Sequence, residues 1–412
     1  MIATVLIIST ARWLTTARLG MAFANLGCNV EAICPDHHPL CETKAIRRTH
    51  VYHALSPLDS LLSGINSSSP DLIIPGDDLA NKHIHDLYYS QHIRNDSAAS
   101  KICELIQTSI GAPDSFPIVI ARASFMGFAR QAGIRVPKTA AVADVRDLEK
   151  WISQEGLPVV LKTDGSSSGE GVRIACTLAE AKRAFCSLQA PPSLIRAAKR
   201  VLIGRDMRWI RPAIERRRAV VNVQEFVNGR DATSLVACWK GEVLAALHFE
   251  VISKQYERGP ASVLRLIENE EIDAITRKLV RMLNVSGLHG FDFLLEKETE
   301  KPYLIEMNPR ATQVGHLALG PRRDLPAALM ATASGRPIRE SPGVTQNPTI
   351  ALFPQEWTRD PESAFLHSAY HDIPWEEPIL LHDCLRKSRR WNDSRNVKEW
   401  IYIFSAHRSS HV

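Results

Sequence analysis

The sequence predicts an α/β protein of several domains, the first of them an open parallel sheet. Three observations carry this expectation. Strand and helix signals alternate over roughly the first 110 residues, the pattern of a doubly wound unit. A Gly/Ser-rich loop joins two strand-like segments in LPVVLKTDGSSSGEGVRIA. A charged turn joins two more in HGFDFLLEKETEKPYLIEMNPR.

Composition sets the outer bounds. The 412 residues correspond to two to four domains, at about 100–200 residues each. A hydrophobic share of 45% against 23% charged residues excludes a largely disordered chain. Gly 21 and Pro 24 exclude a collagenous or low-complexity one. The net charge of +5 is too small to imply nucleic acid, and none is expected as a partner. Eight cysteines are scattered along the sequence without a CxxC pair, which argues against a zinc ribbon or a disulfide framework. Reduced thiols in a cytoplasmic protein are the expectation.

The elements follow in chain order. Ile2–Ile8 is a short apolar run, too short to span a membrane and without signal-peptide flanks, and predicts a buried first strand. LTTARLGMAFANL repeats apolar positions at helical spacing and stops at Gly27. VEAIC predicts a second strand, and PDLIIPGDD a short one ending in carboxylates. No GxGxxG follows the first strand, so a dinucleotide site lacks support. Residues 122–132 predict a helix, and GIRVP a turn and an edge strand. Leu178–Leu188 is helical, and residues 193–218 form a very basic helix. VVNVQEFV and SLVACWKGEVLAALHFEVI are strands, the latter turning at Lys240-Gly241. Residues 270–284 make an amphipathic helix. The last ~70 residues hold one clear strand, TIALFP.

Two constellations carry chemistry. In the segment from Lys162 to Gly171, glycines allow a tight loop whose backbone N–H groups can meet phosphate oxygens, and the serines add hydroxyl donors. Lys162, at the end of the preceding strand, would place a point charge there. The loop joins two strands, so it is not a P-loop, and a flexible hairpin loop would look the same. The second constellation is Asp292, Glu306, Asn308 and Arg310. Equivalent registers of an antiparallel pair face the same side, so two carboxylates and an amide oxygen converge, which suits Mg²⁺. Arg310 offers a planar fork for phosphate. Glu306 sits inside an otherwise apolar strand, which argues against a merely solvated hairpin face.

Together, VVLKTDGSSSGEGV, VQEFVNGRD and GFDFLLE…YLIEMNPR resemble the ATP-grasp superfamily, in the branch of carbamoyl-phosphate synthase large subunits, biotin carboxylases and carboxylate–amine ligases. The resemblance covers roughly residues 1 to 340 and implies an ATP-grasp fold preceded by a Rossmann-like domain. The implied division is 1–112 for that domain, 113–224 and 225–340 for the two lobes, and 341–412 for a C-terminal extension. By resemblance, Lys162 contacts the α-phosphate and adenine. Ser166, Ser167, Ser168, Gly169 and Gly171 belong to the loop over the β- and γ-phosphates. Glu225, Phe226 and Val227 fall at the adenine-holding hinge, and Asp231 stands where the family has a ribose-binding Glu. Asp292, Glu306 and Asn308 match the Mg²⁺ (or Mn²⁺) ligands, Arg310 the arginine beside the transferred phosphoryl group, and Arg122 a cation on the nucleotide phosphates. Lys254 could reach the γ-phosphate or be a surface lysine.

Gln313 and His316 follow Arg310 and are candidates to face the acceptor, although such a histidine is more often structural. Arg12 and Asp78 follow the first and fourth strand candidates, where ligands of open α/β sheets bind. His37-His38 near Cys34 and Cys41 fits no usual metal spacing and reads as loop. Residues 196–218 carry nine Lys/Arg against Asp206 and Glu215, interleaved with apolar residues and Trp209. Such a helix suits an anionic membrane surface, an anionic substrate, or plain packing on the core.

The expected function is an ATP- and Mg²⁺-dependent ligase that activates a small carboxylate as an acyl phosphate for attack by an amine. A homodimer and peripheral membrane contact are compatible with it. The rivals are a carbamoyl-phosphate-synthase-like or other carboxylating activity, and a non-catalytic nucleotide-binding, membrane-associated module. A single loop–hinge–carboxylate set, without a biotinyl motif or a glutaminase nucleophile, disfavours the first.

Overall fold

The structure is a computed structural model, and it describes residues 2–94, 96–165, 169, 171–195, 198, 210–216, 218–338 and 342–389. Ser166, Ser167 and Ser168 of the glycine-rich loop lie outside the described residues, as does most of the basic stretch 196–218. Among the described residues three sheets form.

The first sheet is parallel, with strands β1 (Thr4–Ile8), β2 (Asn29–Cys34), β3 (Arg48–Val51) and β4 (Leu72–Pro75) in the order β3-β2-β1-β4. The central strand β1 and the short β4 are almost wholly buried, which is why both read as unbroken apolar runs. Helices Leu14–Asn25 and Pro57–Ser68 make the β1–β2 and β3–β4 crossovers, and helix Asp78–Arg94 follows β4. β3 reads RTHV and is mostly exposed, so no apolar run marks it in the sequence.

The second sheet is antiparallel, with β5 (Thr139–Val142), β6 (Val159–Thr163), β7 (Val172–Ala175) and β8 (Val221–Glu225) in the order β5-β8-β6-β7. The edge strand expected in GIRVP is displaced to Thr139–Val142. Pro137 has no N–H to give a ladder, so pairing begins beyond it. Val159 and Leu161 point into a core with Val221, Val223 and Phe185. The pleat therefore turns Lys162 to the opposite face, where it remains 6% exposed.

The third sheet runs β13-β12-β9-β10-β11-β14-β15. Its strands are β9 (Gly229–Trp239), β10 (Glu242–Lys254), β11 (Ala261–Leu266), β12 (Gly287–Glu296), β13 (Pro302–Asn308), β14 (Thr349–Leu352) and β15 (Tyr370–Asp372). One face shares a continuous core with the first sheet, from Val5 and Ile7 through Leu247 and Phe249 to Ile350. The other face packs on helices Arg122–Gln131 and Glu270–Leu283 through Phe125, Leu279, Val280 and Phe291. Both neighbouring units are thereby seated on the sheet that carries the acidic hairpin.

The C-terminal region holds more than the strand in TIALFP. β14 is followed by β15, parallel to it, and by helices Gln355–Arg359, Phe365–Ser368 and Pro378–Arg389. β15 reads YHD and gives no apolar signal. It is fixed instead by Asp372, which pairs with Arg18 at 2.5 Å and with His316 at 2.8 Å. Leu380 packs with Ala17 and Met21, so this region closes over the first helix of the chain.

Candidate nucleotide and metal site

The site is built on three adjacent strands. Asp292 of β12 lies opposite Thr233 of β9 on one side and Glu306 of β13 on the other. Gly290 lies opposite Asn308, and a Cβ at Gly290 would stand 2.4 Å from the Thr312 methyl. Only glycine lets the chain after β13 fold back that closely. Asp292 accepts hydrogen bonds from the Thr233 hydroxyl and the Asn308 amide, both at 2.9 Å.

Burial, and then the adjacent Glu306 carboxylate, push Asp292 up to about 6, against the two hydrogen bonds it accepts. Burial alone would raise Glu306 as well. The Arg122 guanidinium at 2.8 Å outweighs it, with help from Lys162 and Arg310, and holds Glu306 below the usual carboxylate range. Lys162 faces this cluster from β6, and burial and the Arg122 charge lower it to about 8. Asp164, one residue beyond β6, accepts from Asn222 at 2.9 Å and lies 3.9 Å from Arg122. Burial raises it, with Arg122 opposing.

Arg310 is 8% exposed, and each of its three nitrogens donates one hydrogen bond. It donates to Asp78 at 3.0 Å, to the Ala311 carbonyl at 3.2 Å and to Asn308 Oδ1 at 3.3 Å. Its guanidinium lies over the Trp13 ring, 4.6 Å from the centroid. Asp78 opens the Asp78–Arg94 helix. Burial raises it, Asp77 and Glu306 add to that, and Arg310 opposes it. Arg310 thus ties the first domain to the acidic hairpin.

The remaining candidates fall around this set. Residues 226–228, between β8 and β9, link the small sheet to the large one, and Phe226 is 36% exposed there. The Glu225 carboxylate accepts from the Lys138 backbone N–H at 3.2 Å, so its side chain braces β5. Lys254 and Asp231 pair with each other at 2.5 Å. Gly169 has φ 71°, and its carbonyl accepts from Val172 N–H at 3.2 Å. A Cβ there would stand 1.8 Å from the Arg258 carbonyl oxygen, so the loop root lies against the turn between β10 and β11. Gly171 accepts from Thr163 N–H at 3.0 Å. Arg12 follows β1 beside Trp13, and Gln313 is half-buried in the loop after Arg310. His316 belongs to the buried Arg18–Asp372–His316 triad.

Arg122, Lys162, Asp292, Glu306, Asn308, Arg310 and Asp78 are therefore joined in one electrostatic set. Sequence reasoning missed Trp13, Asp164, Asn222 and Thr233. Trp13 was open to the rule that points to strand carboxyl ends, and Asp164 to the carboxylate within KTDG. Thr233 and Asn222 carry no sequence signal, because only strand register makes them neighbours. Among the described residues no group of three or more His, Cys, Asp or Glu could hold a metal. The donor set here is two carboxylates and an amide, and the adjacent Asp292 and Glu306 are the hard like-charged pair that a divalent cation neutralises.

Residues 121–319 match the family described as carbamoyl-phosphate synthase L chain, ATP binding domain. A phosphoribosylamine–glycine ligase of Vigna unguiculata is 27% identical over 186 residues, which are 40% of this chain and 53% of that protein. The chain spans about half or less of the length of the curated relatives it matches. The biotin carboxylase domain of Hydrogenobacter thermophilus 2-oxoglutarate carboxylase superposes with a TM-score of 0.56 at 18% identity, covering 83% of this chain and 72% of that one. N5-carboxyaminoimidazole synthetase of Staphylococcus aureus, in complex with ADP, does so with a TM-score of 0.55 at 14% identity, covering 82% and 79%. These likenesses are to the fold.

Proposed function

We propose that this chain, which carries an ATP-grasp domain in residues 121–319 behind a parallel-sheet first domain, is an ATP-dependent carboxylate–amine ligase. One observation carries the reading: the acidic hairpin, two arginines and a buried lysine meet on a single face between the two lobes. That face has positive charge for a polyphosphate and hard oxygens for its counter-cation.

The chemistry follows from what each group can do. A carboxylate is a poor electrophile, and transfer of the γ-phosphoryl group to one of its oxygens creates a good leaving group. An amine then attacks the acyl carbon and phosphate departs, giving an amide and ADP. Lys162 and Arg122 neutralise phosphate charge, and Arg310, clamped by Asp78, Asn308 and Trp13, presents its fork at a fixed angle. Asp292, Glu306 and Asn308 would hold Mg²⁺ or Mn²⁺, which when bound supplies Lewis-acid neutralisation of the phosphates. With nucleotide in place, Arg122 exchanges its Glu306 contact for phosphate and frees that carboxylate. Phe226 and Val227 line the adenine side from the hinge. The Lys254–Asp231 pair faces ribose and γ-phosphate. Gln313 and Arg12 belong to the substrate side, whereas His316, held by Asp372, is structural.

In the same reading the domains divide at residues 112, 224 and 340, and the protein is a cytoplasmic homodimer acting on small molecules. One fold neighbour, the Hydrogenobacter domain, is a dimer. Among the described residues no helix is long and apolar enough to cross a membrane. The test is Mg²⁺-dependent ADP release across a panel of acids and amines, run beside Glu306→Ala. A pair that raises release above the variant supports the ligase. If no acid–amine pair does so, the reading is lost.

A further inference from the structure

The eight cysteines are free, and the scatter seen in the sequence hides one pair. Cys34 ends β2 and is buried, whereas Cys41 ends the next short turn, Pro39–Cys41, and is exposed. Their sulfurs stand 3.7 Å apart. The six residues between them fold back because His38 is an internal clasp. Its Nδ1 accepts from Leu40 N–H at 3.0 Å, which leaves Nε2–H to donate to the Ala11 carbonyl at 2.7 Å. His38 and Leu40 are fully buried, so this loop is held in place from below.

We infer that Cys34 and Cys41 form a reversible thiol–disulfide pair, closed by hydroperoxides, whose loop supports the Trp13 side of the site. The two thiols divide the work. Cys41 is accessible, and a hydrogen bond from the Cys34 thiol, then one from the His38 backbone N–H, bring it down to about 7 against burial and the nearby Glu42 and Asp36. Cys34 is raised by that same hydrogen bond and by burial, and stays a thiol until its partner is oxidised. The Cys41 thiolate attacks one peroxide oxygen, the O–O bond breaks, and hydroxide leaves as the sulfenic acid forms. The Cys34 sulfur then attacks the Cys41 sulfur, the S–O bond breaks, and the departing hydroxide takes up the Cys34 proton as water. Two electrons from the dithiol reduce one peroxide.

The bond would act on the site through short contacts. The Ala11 carbonyl accepts from His38, from the Ser9 hydroxyl at 2.9 Å and from Trp13 N–H at 2.8 Å. Trp13 in turn lies under Arg310. Drawing the sulfurs from 3.7 Å to bonding distance, about 2 Å, re-sets the side chains of both cysteines and tethers the two ends of the loop that carries His38.

The inference does not rest on the ligase reading, and its test does not use turnover. The reduced full chain is titrated with hydrogen peroxide, quenched, and mapped by non-reducing peptide mass spectrometry. A Cys34–Cys41 cross-linked peptide, reversed by dithiothreitol, is expected about tenfold sooner than oxidation of the isolated exposed Cys176 and Cys186. In Cys34→Ser, dimedone should instead trap Cys41 as the sulfenic acid. Cys41→Ser replaces an exposed side chain, keeps the fold, and should give no cross-link. Amide exchange at residues 10–13 should differ at least about threefold between oxidised and reduced protein. Oxidation of Cys176 or Cys186 before any cross-link overturns the pair. Unchanged exchange at residues 10–13 overturns its link to the site.

Discussion

Replacing Asp292 by Asn should stabilise the ligand-free protein while removing the proposed metal-dependent chemistry. Asp292 is raised from 3.8 to about 6, which corresponds to about 3 kcal/mol between its protonated and ionised forms. A carboxyl raised in the folded state contributes stability that is fully present below its unfolded value and is lost as pH rises through about 6. At pH 7.5 the wild type therefore carries an ionised, poorly compensated Asp292. Asn keeps the shape and never ionises. Its oxygen can accept from Asn308, and its NH₂ can donate to the Thr233 hydroxyl, which now acts as acceptor. A less favourable hydrogen-bond set costs about 1 kcal/mol, leaving a gain of about 2 kcal/mol. Thermal melts of both proteins from pH 5 to 8 measure this. The variant should melt a few degrees higher at pH 7.5, with the difference shrinking as pH falls through 6. Mg²⁺ with ADP should raise the melting temperature of the wild type and scarcely that of the variant. ADP release should fall about a hundredfold. A variant that melts lower than the wild type at pH 7.5, or a difference independent of pH, would refute the claim that the site holds uncompensated negative charge awaiting a cation.

Arg310→Lys keeps the charge but loses the fork that reaches Asp78 and Asn308 together, so ADP release should drop about a hundredfold with little change in ATP affinity. Retained turnover would show that the fork is not needed. Lys162, lowered to about 8, should take up a proton when a polyphosphate binds above that pH, visible by calorimetry in buffers of different ionisation enthalpy. In the ligand-free protein its folded value lies below its unfolded one, so this group makes stability rise from pH 8 toward 10.5. Gly169→Ala places a Cβ 1.8 Å from the Arg258 carbonyl at a left-handed φ of 71°. The KM for ATP should rise about tenfold and the melting temperature should fall; an unaltered KM would detach Gly169 from nucleotide binding.

Much of the fold was legible because strands buried on both faces spell themselves out as apolar runs, as β1 and β4 do. β3 and β15 were not, because RTHV is an exposed edge and YHD is held by an ion pair to Arg18. The hairpin carboxylates were legible because Asp292 and Glu306 break apolar strands at matching register. Trp13 was not singled out, since a Trp after a strand looks like any other core aromatic until Arg310 is seen above it.

By itself the sequence determined the alternation of elements, the acidic hairpin and the glycine-rich loop, all of which are local patterns set by pleat, helical period and turn chemistry. The tertiary structure alone decided which charges meet. Arg122 and Glu306 are 184 residues apart in the chain and 2.8 Å apart in space, and Asp78 and Arg310 are 232 residues apart and joined at 3.0 Å. The Cys34–Cys41 contact depends likewise on a buried histidine that pins the loop between them. Electrostatic energy depends on distance and burial, and neither is written in sequence separation.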